Sequence, residues 1–294
     1  MSRASATSHA CVDATAPRAA SGAWSSGPGR SSTITWPLQD TTVLQVRTEQ
    51  GGDVIVKASA TSQHLPREIA AHRDHLRSLP GLAPLLHASA EDRILVTRYL
   101  PGRLVEGTPE EWQPECYRQA GALLARLMVP QGTSDIYVDK ILRRAAEFLR
   151  SAEPLLAPGL HAAVTRAFDS FAPEPVSLVL THGDFHPRNW LIHQGKVALI
   201  DFGRTAARHW TSDLVRLRHQ QLRGEPQLEL ALFAGLAREL DADDLRQYRL
   251  EELLQGLATV WWAHGIGDSL QRRRQAHPER AVGWPADDRP STAL

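Results

Sequence analysis

The residues with the densest chemical content fall between positions 181 and 203. There the chain reads Thr181-His182-Gly183-Asp184-Phe185-His186-Pro187-Arg188-Asn189-Trp190-Leu191, then Val197-Ala198-Leu199-Ile200-Asp201-Phe202-Gly203. Short apolar runs at 176–180, 190–192 and 197–200 read as strands. Asp184, Asn189 and Asp201 therefore each sit where a strand and a loop meet, and their side chains can face one cavity. Two carboxylates and a carboxamide held in this way suit a hard, oxygen-seeking cation. Mg²⁺ prefers one or two carboxylates completed by substrate phosphates. A remaining acid can accept or orient a hydroxyl proton.

Strands are expected at 31–36, 42–48 and 53–58, the last two joined through the turn signal Gln50-Gly51-Gly52. A helix is expected at 66–79, with Ile69, Leu76 and Leu79 at roughly helical spacing and Pro66 near its first turn. Two more strands follow at 85–86 and 94–99. Pro101-Gly102 then breaks the pattern and marks a boundary. Beyond it, helices are expected at 112–128, 140–153, 227–240 and 244–262. The reading is α+β: a small β-rich lobe at 31–101 and a larger, mainly helical lobe at 102–294.

Composition narrows the classes. The 294 residues carry 33 Lys+Arg against 33 Asp+Glu, and 42% are hydrophobic. That is a globular composition, without the basic excess that nucleic acid would call for. Cys11 and Cys116 are the two cysteines, too few for a disulfide framework, so a reducing, cytoplasmic location is expected. Residues 1–30 are rich in Ala, Ser, Gly and Arg and read as a flexible tail. They contain no apolar signal core, and no stretch of the chain is apolar enough to span a membrane. Only three lysines occur, Lys57, Lys140 and Lys196.

The spacing His182-x-Asp184-x-x-x-x-Asn189, with Asp201-Phe202-Gly203 twelve residues on, resembles the protein-kinase-like signature. In its local form, His-Gly-Asp-x-His-x-x-Asn, it resembles the aminoglycoside phosphotransferase family and its choline, homoserine and macrolide kinase relatives. The resemblance implies a bilobal fold and roles for matching positions. Asp184 corresponds to the catalytic base. Asn189 and Asp201 correspond to Mg²⁺ ligands. His182 braces the catalytic loop, His186 packs within it, and Asp213 ties it down. ATP or GTP would donate the phosphoryl group.

The first lobe agrees. Val54-Ile55-Val56-Lys57 is a β-branched strand ending in a lysine that could reach nucleotide phosphates, and Glu68, eleven residues later, could hold it. A lone lysine or glutamate is usually a solvated surface charge, but this order and spacing favour a site. Thr97, Arg98 and Tyr99 resemble the hinge strand whose backbone receives the base. No Gly-rich phosphate loop is visible. Residues 37–42 hold its place, and Thr41 and Thr42 offer hydroxyls instead.

Residues 103–294 hold 25 acids and 23 bases. That is weak attraction for a polycation and suits less cationic acceptors. Glu251, Glu252 and Asp268 could collect near the acceptor. Trp261 and Trp262 read as core packing before cleft stacking, and Arg272-Arg273-Arg274 as a solvated helix end. The expected activity is transfer of a γ-phosphoryl group to a hydroxyl of a small molecule, such as an antibiotic, by a monomer or weak dimer. A metabolic small-molecule kinase or a nucleotide-binding pseudokinase is the alternative. Neither nucleic acid nor membrane is an expected partner.

Overall fold

A computed structural model describes residues 32–34, 41–48, 52–77 and 79–276. The expected tail at 1–30, the loop at 37–40 and the turn residues Gln50 and Gly51 lie outside the described residues. So do the side chains of Asp268 and Arg272 to Arg274.

Five antiparallel strands form the first sheet: β1 (Ser32–Ile34), β2 (Thr42–Arg47), β3 (Asp53–Ala58), β4 (Leu85–Ser89) and β5 (Ile94–Arg98), in the order β1-β2-β3-β5-β4. Helix α1 (His64–Ala71) packs on it through Leu65 and Ile69, both about 1% exposed, against Leu95. The helix begins two residues earlier than expected, with Pro66 inside its first turn. Its last expected turns wind wider, as a π-type segment over His72–Leu76 that turns His72 and Leu76 inward.

The second part holds α2 (Pro114–Leu127), α3 (Tyr137–Ala152), α4 (Pro158–Asp169), α5 (Val215–His219), α6 (Pro226–Leu236) and α7 (Ala242–Ala276). Its loops rest on two three-stranded sheets. One is β10 (Lys196–Leu199), β9 (Trp190–His193) and β6 (Arg103–Leu104). The other is β11 (Ala206–Arg208), β8 (Val176–Thr181) and β7 (Pro130–Ser134). Helix α4 escaped the sequence reading because it buries little besides Phe168. Strand β7 escaped it because Pro130-Gln131-Gly132-Thr133-Ser134 carries no apolar alternation.

Helices α2 and α6 cross in close contact. A Cβ on Gly121 would lie 2.4 Å from the Leu232 carbonyl oxygen, and one on Gly235 would lie 2.0 Å from that of Arg118. Glycine at both positions lets the two backbones touch. Around this crossing lies the main core, which includes Tyr117, Leu124, Trp190, Leu199 and Leu232. A second core joins α3, α4 and α7 through Ile141, Leu149, Phe168, Leu250 and Leu257.

Two expectations about α7 are corrected. Trp261 and Trp262 are 48% and 61% exposed, not core. The Trp261 ring lies 5.6 Å from that of Phe148. Glu251 is buried where it accepts the Tyr137 hydroxyl, and Glu252 pairs with His219 and Tyr248. The buried Glu251 is therefore not available to an acceptor.

Candidate active site

Asp184 follows β8, Asn189 precedes β9 and Asp201 follows β10, where Leu199 pairs with Trp190. Asp213, in the turn after β11, is buried and accepts the His182 N–H at 2.7 Å and the Gly183 N–H at 2.6 Å. Burial pushes its carboxyl up, and these two donors oppose the rise. One carboxylate thus clamps the turn that presents Asp184. Gly183 has φ +79°, and a Cβ there would lie 2.2 Å from the Arg204 carbonyl oxygen, so only glycine fits.

His182 points the other way. Its Nε2 lies 3.1 Å from the Ile200 carbonyl oxygen, and its ring stacks 4.8 Å from Phe202. His72 meets Phe202 edge-on at 5.7 Å, while Phe185 packs 4.9 Å from Trp190, which meets Tyr117 at 5.2 Å. A chain of rings therefore runs from α2, through the catalytic loop, to the segment after α1.

Asn189 donates from Nδ2 to the Asp184 backbone carbonyl at 2.7 Å. That bond fixes the carboxamide and directs its oxygen away, as a hard cation would require. Asp201 adopts φ +66°, an uncommon conformation for a residue other than glycine. Its carboxylate is 47% exposed, and Lys57 Nζ lies 3.7 Å away. The Lys57 charge holds its carboxyl below the usual range. Among the described residues no three His, Cys, Asp or Glu side chains form a ready metal cage. The donor set fits Mg²⁺ completed by phosphate oxygens.

Lys57 Nζ donates to both Glu68 oxygens, at 2.7 and 2.9 Å. Burial alone would lower the ammonium pKa, but Glu68 and Asp201 outweigh it and hold the pKa above its ordinary value. Residues facing each other across antiparallel strands share a side of the sheet. Val43 opposes Lys57 and Ile55 opposes Thr97, so Thr97 lies on the Lys57 face and is buried there. Thr42 opposes Ala58, which puts its hydroxyl on the far face. The expectation that Thr42 meets phosphates with Lys57 is therefore corrected by the two-residue period. Thr41, just before β2, is half-buried. The N–H groups of Arg98 and Tyr99 are committed to the carbonyls of Pro84 and Asp53, so they do not serve as donors to a base.

Around Asp184 the structure shows what the spacing did not. Arg188 Nη2 lies 2.9 Å from Oδ2, and Arg216 Nη1 lies 3.2 Å from Oδ1. His186 is fully buried with Nε2 3.2 Å from Oδ1, and neither ring nitrogen completes a hydrogen bond. Burial works against the Asp184 carboxylate. The approach of His186 and the charges of Arg188 and Arg204 outweigh it and hold the carboxyl far below the usual range. Arg188 stands within the motif. Arg216 stands on α5 and carried no sequence signal. His64 also reaches the site, with Nδ1 3.1 Å from the Gly203 carbonyl oxygen.

Residues 38–250 match the model of the phosphotransferase enzyme family. The chain belongs to this family. No curated protein matches the sequence. Solved structures of phosphotransferases share the fold at low identity. A macrolide 2′-phosphotransferase from Brachybacterium faecium superposes with a TM-score of 0.61 at 18% identity, over 89% of this chain and 94% of that one. A choline/ethanolamine kinase family protein from Mesorhizobium loti gives 0.62 at 17%, over 82% and 81%. An amicoumacin kinase in complex with AMP-PNP, Ca²⁺ and Ami gives 0.58 at 14%, over 87% and 90%. This family member is thus a small-molecule phosphotransferase with an α+β, protein-kinase-like fold. None of its described helices is long and apolar enough to cross a membrane.

Proposed function

We propose that the protein transfers the γ-phosphoryl group of ATP or GTP to a hydroxyl of a small molecule such as an antibiotic. The observation that carries this reading is the Lys57–Glu68 pair beside Asp201, with Asp184 and Asn189 across the same cleft. Residues 31–101 would hold the nucleotide and residues 102–294 the acceptor, in a cytoplasmic monomer or weak dimer. Mg²⁺, when bound, would neutralise phosphate charge beside Asp201 and Asn189.

The chain's own residues do the rest by positioning. Lys57 orients the phosphates, and Glu68 holds Lys57. Asp184 aligns the acceptor hydroxyl and takes up its proton, as the hydroxyl oxygen forms the new bond to phosphorus and the bond to the β-phosphate oxygen breaks, leaving the nucleoside diphosphate. Such transfer needs little covalent chemistry from a protein.

The same geometry suits a metabolic kinase, and the choline/ethanolamine kinase family structure superposes as well as the macrolide enzyme does. A panel of antibiotics and metabolic alcohols, incubated with ATP and Mg²⁺, separates the two by which class gains the mass of one phosphoryl group. No ATP consumption with any acceptor would favour a binding module.

A further inference from the structure

Asp184 is a single carboxylate bonded by two guanidinium groups, and the charge of a third acts on it. Arg188 occupies one of its oxygens and Arg216 the other. Arg204 adds a third positive charge, with no ion pair within 4 Å among the described residues. Two of these arginines reach solvent, since the side chains of Arg188 and Arg216 are 41% and 36% exposed, whereas Asp184 is 7% exposed. One guanidinium would suffice to pair a buried carboxylate. The surplus repels itself: burial and then the Arg188 charge lower the Arg216 pKa, Asp184 opposes them, and Arg204 lowers it further.

Arg188 and Arg216 bond the Asp184 carboxylate itself, at 2.9 and 3.2 Å. They therefore stand beside the group that would meet an acceptor hydroxyl.

We infer that Arg216, with Arg188 and Arg204, forms a subsite for an anionic group, a carboxylate or a phosphate, carried by the acceptor near its reacting hydroxyl. This rests on the phosphotransfer reading above and narrows its substrate class. The occupied oxygens of Asp184 give the subsite a second effect. With no acceptor bound, the arginines cover the carboxylate. An anion that draws them onto itself uncovers an oxygen of Asp184 for the hydroxyl, so an acceptor without the anion meets a covered base. A planar guanidinium fork suits both carboxylate and phosphate.

Sulfate is the probe, titrated into the full chain at constant ionic strength against chloride. Mg²⁺ and AMP-PNP are kept saturating, so that nucleotide phosphates fill their own site. Thermal unfolding is followed for the wild type and for Arg216→Gln. Sulfate should raise the wild-type midpoint by about a few degrees, chloride should not, and Arg216→Gln should lose at least half of the gain. Equal responses to the two salts, or an unchanged response in Arg216→Gln, overturn the subsite. A sulfate response that vanishes once Mg²⁺ and AMP-PNP are added also overturns it, because the arginines would then serve the nucleotide. A sulfate response in a protein indifferent to AMP-PNP leaves the subsite standing and defeats the phosphotransfer reading instead. Should Arg216→Gln fail to fold, Arg204→Gln gives the same readout, since its guanidinium is not bonded to Asp184.

Discussion

Glu68 receives Lys57 on both carboxylate oxygens and, through Oε1, also accepts the Phe202 N–H at 3.3 Å. One buried acid on α1 therefore couples Lys57 to the Asp-Phe-Gly turn. Glu68→Ala should free Lys57 to swing fully onto Asp201. Removing one partner of a buried pair costs about 3–5 kcal/mol. The expected outcome is a lower unfolding midpoint and a weaker apparent affinity for ATP, by about tenfold or more. Steady-state kinetics over a range of ATP concentrations check this. An unchanged KM for ATP would show that the pair does not serve the nucleotide.

Asp184→Asn keeps the shape of the catalytic loop and removes the charge. Transfer should fall by about 10²–10⁴-fold, the usual range for losing a positioned general base. Binding of nucleotide in the presence of Mg²⁺ should stay within a few-fold of wild type. Isothermal titration with AMP-PNP and a phosphoryl-transfer assay on the same sample test both halves. Normal turnover by the variant would remove Asp184 from the mechanism.

Gly183→Ala places a Cβ 2.2 Å from the Arg204 carbonyl oxygen and 2.6 Å from Arg208 Nη1, at φ +79°. The left-handed conformation alone costs about 1–2 kcal/mol for a residue with a side chain, and the backbone contact cannot relax cheaply. The variant should lose at least about 2 kcal/mol in denaturant unfolding and should lose transfer with it. Full stability would mean that the turn can rearrange around Asp213.

His72 connects pH to stability. Burial, then the Lys57 charge, push its pKa from the usual 6.5 to about 4. The unfolded chain therefore binds the proton more readily than the folded one. The stability this contributes is present above about pH 6.5 and is lost as pH falls toward 4, up to about 3 kcal/mol. His186 and His209 are also pushed down by burial and act in the same direction. His72→Phe keeps an aromatic edge on Phe202 and should flatten this part of the profile. Urea unfolding at pH 7 and pH 4.5 measures the difference. Equal losses in the two proteins would exclude His72 as the source.

Much of this was legible in the sequence because it is local. Val54, Ile55 and Val56 are a run of β-branched residues, and β3 forms over 53–58 as expected. The strand-loop-strand spacing from His182 to Gly203 fixes which side chains leave each strand end, and the structure brings Asp184, Asn189 and Asp201 into one cleft. Where the pattern was weak, the reading failed for a physical reason. Helix α4 has too narrow an apolar face to announce itself, and α7 continues far beyond its apolar stretch. Thr42 looked equivalent to Thr41 until the pairing with Ala58 placed it on the other face.

By itself, then, the sequence determined the order of elements and the identities of the polar residues at each strand end, because backbone propensity and side-chain period act over a few residues. Tertiary structure alone decided which distant groups meet. Glycines 114 positions apart, at 121 and 235, let α2 and α6 touch. Arg216 reaches Asp184 across 32 positions of chain. Such contacts depend on packing that no local pattern encodes.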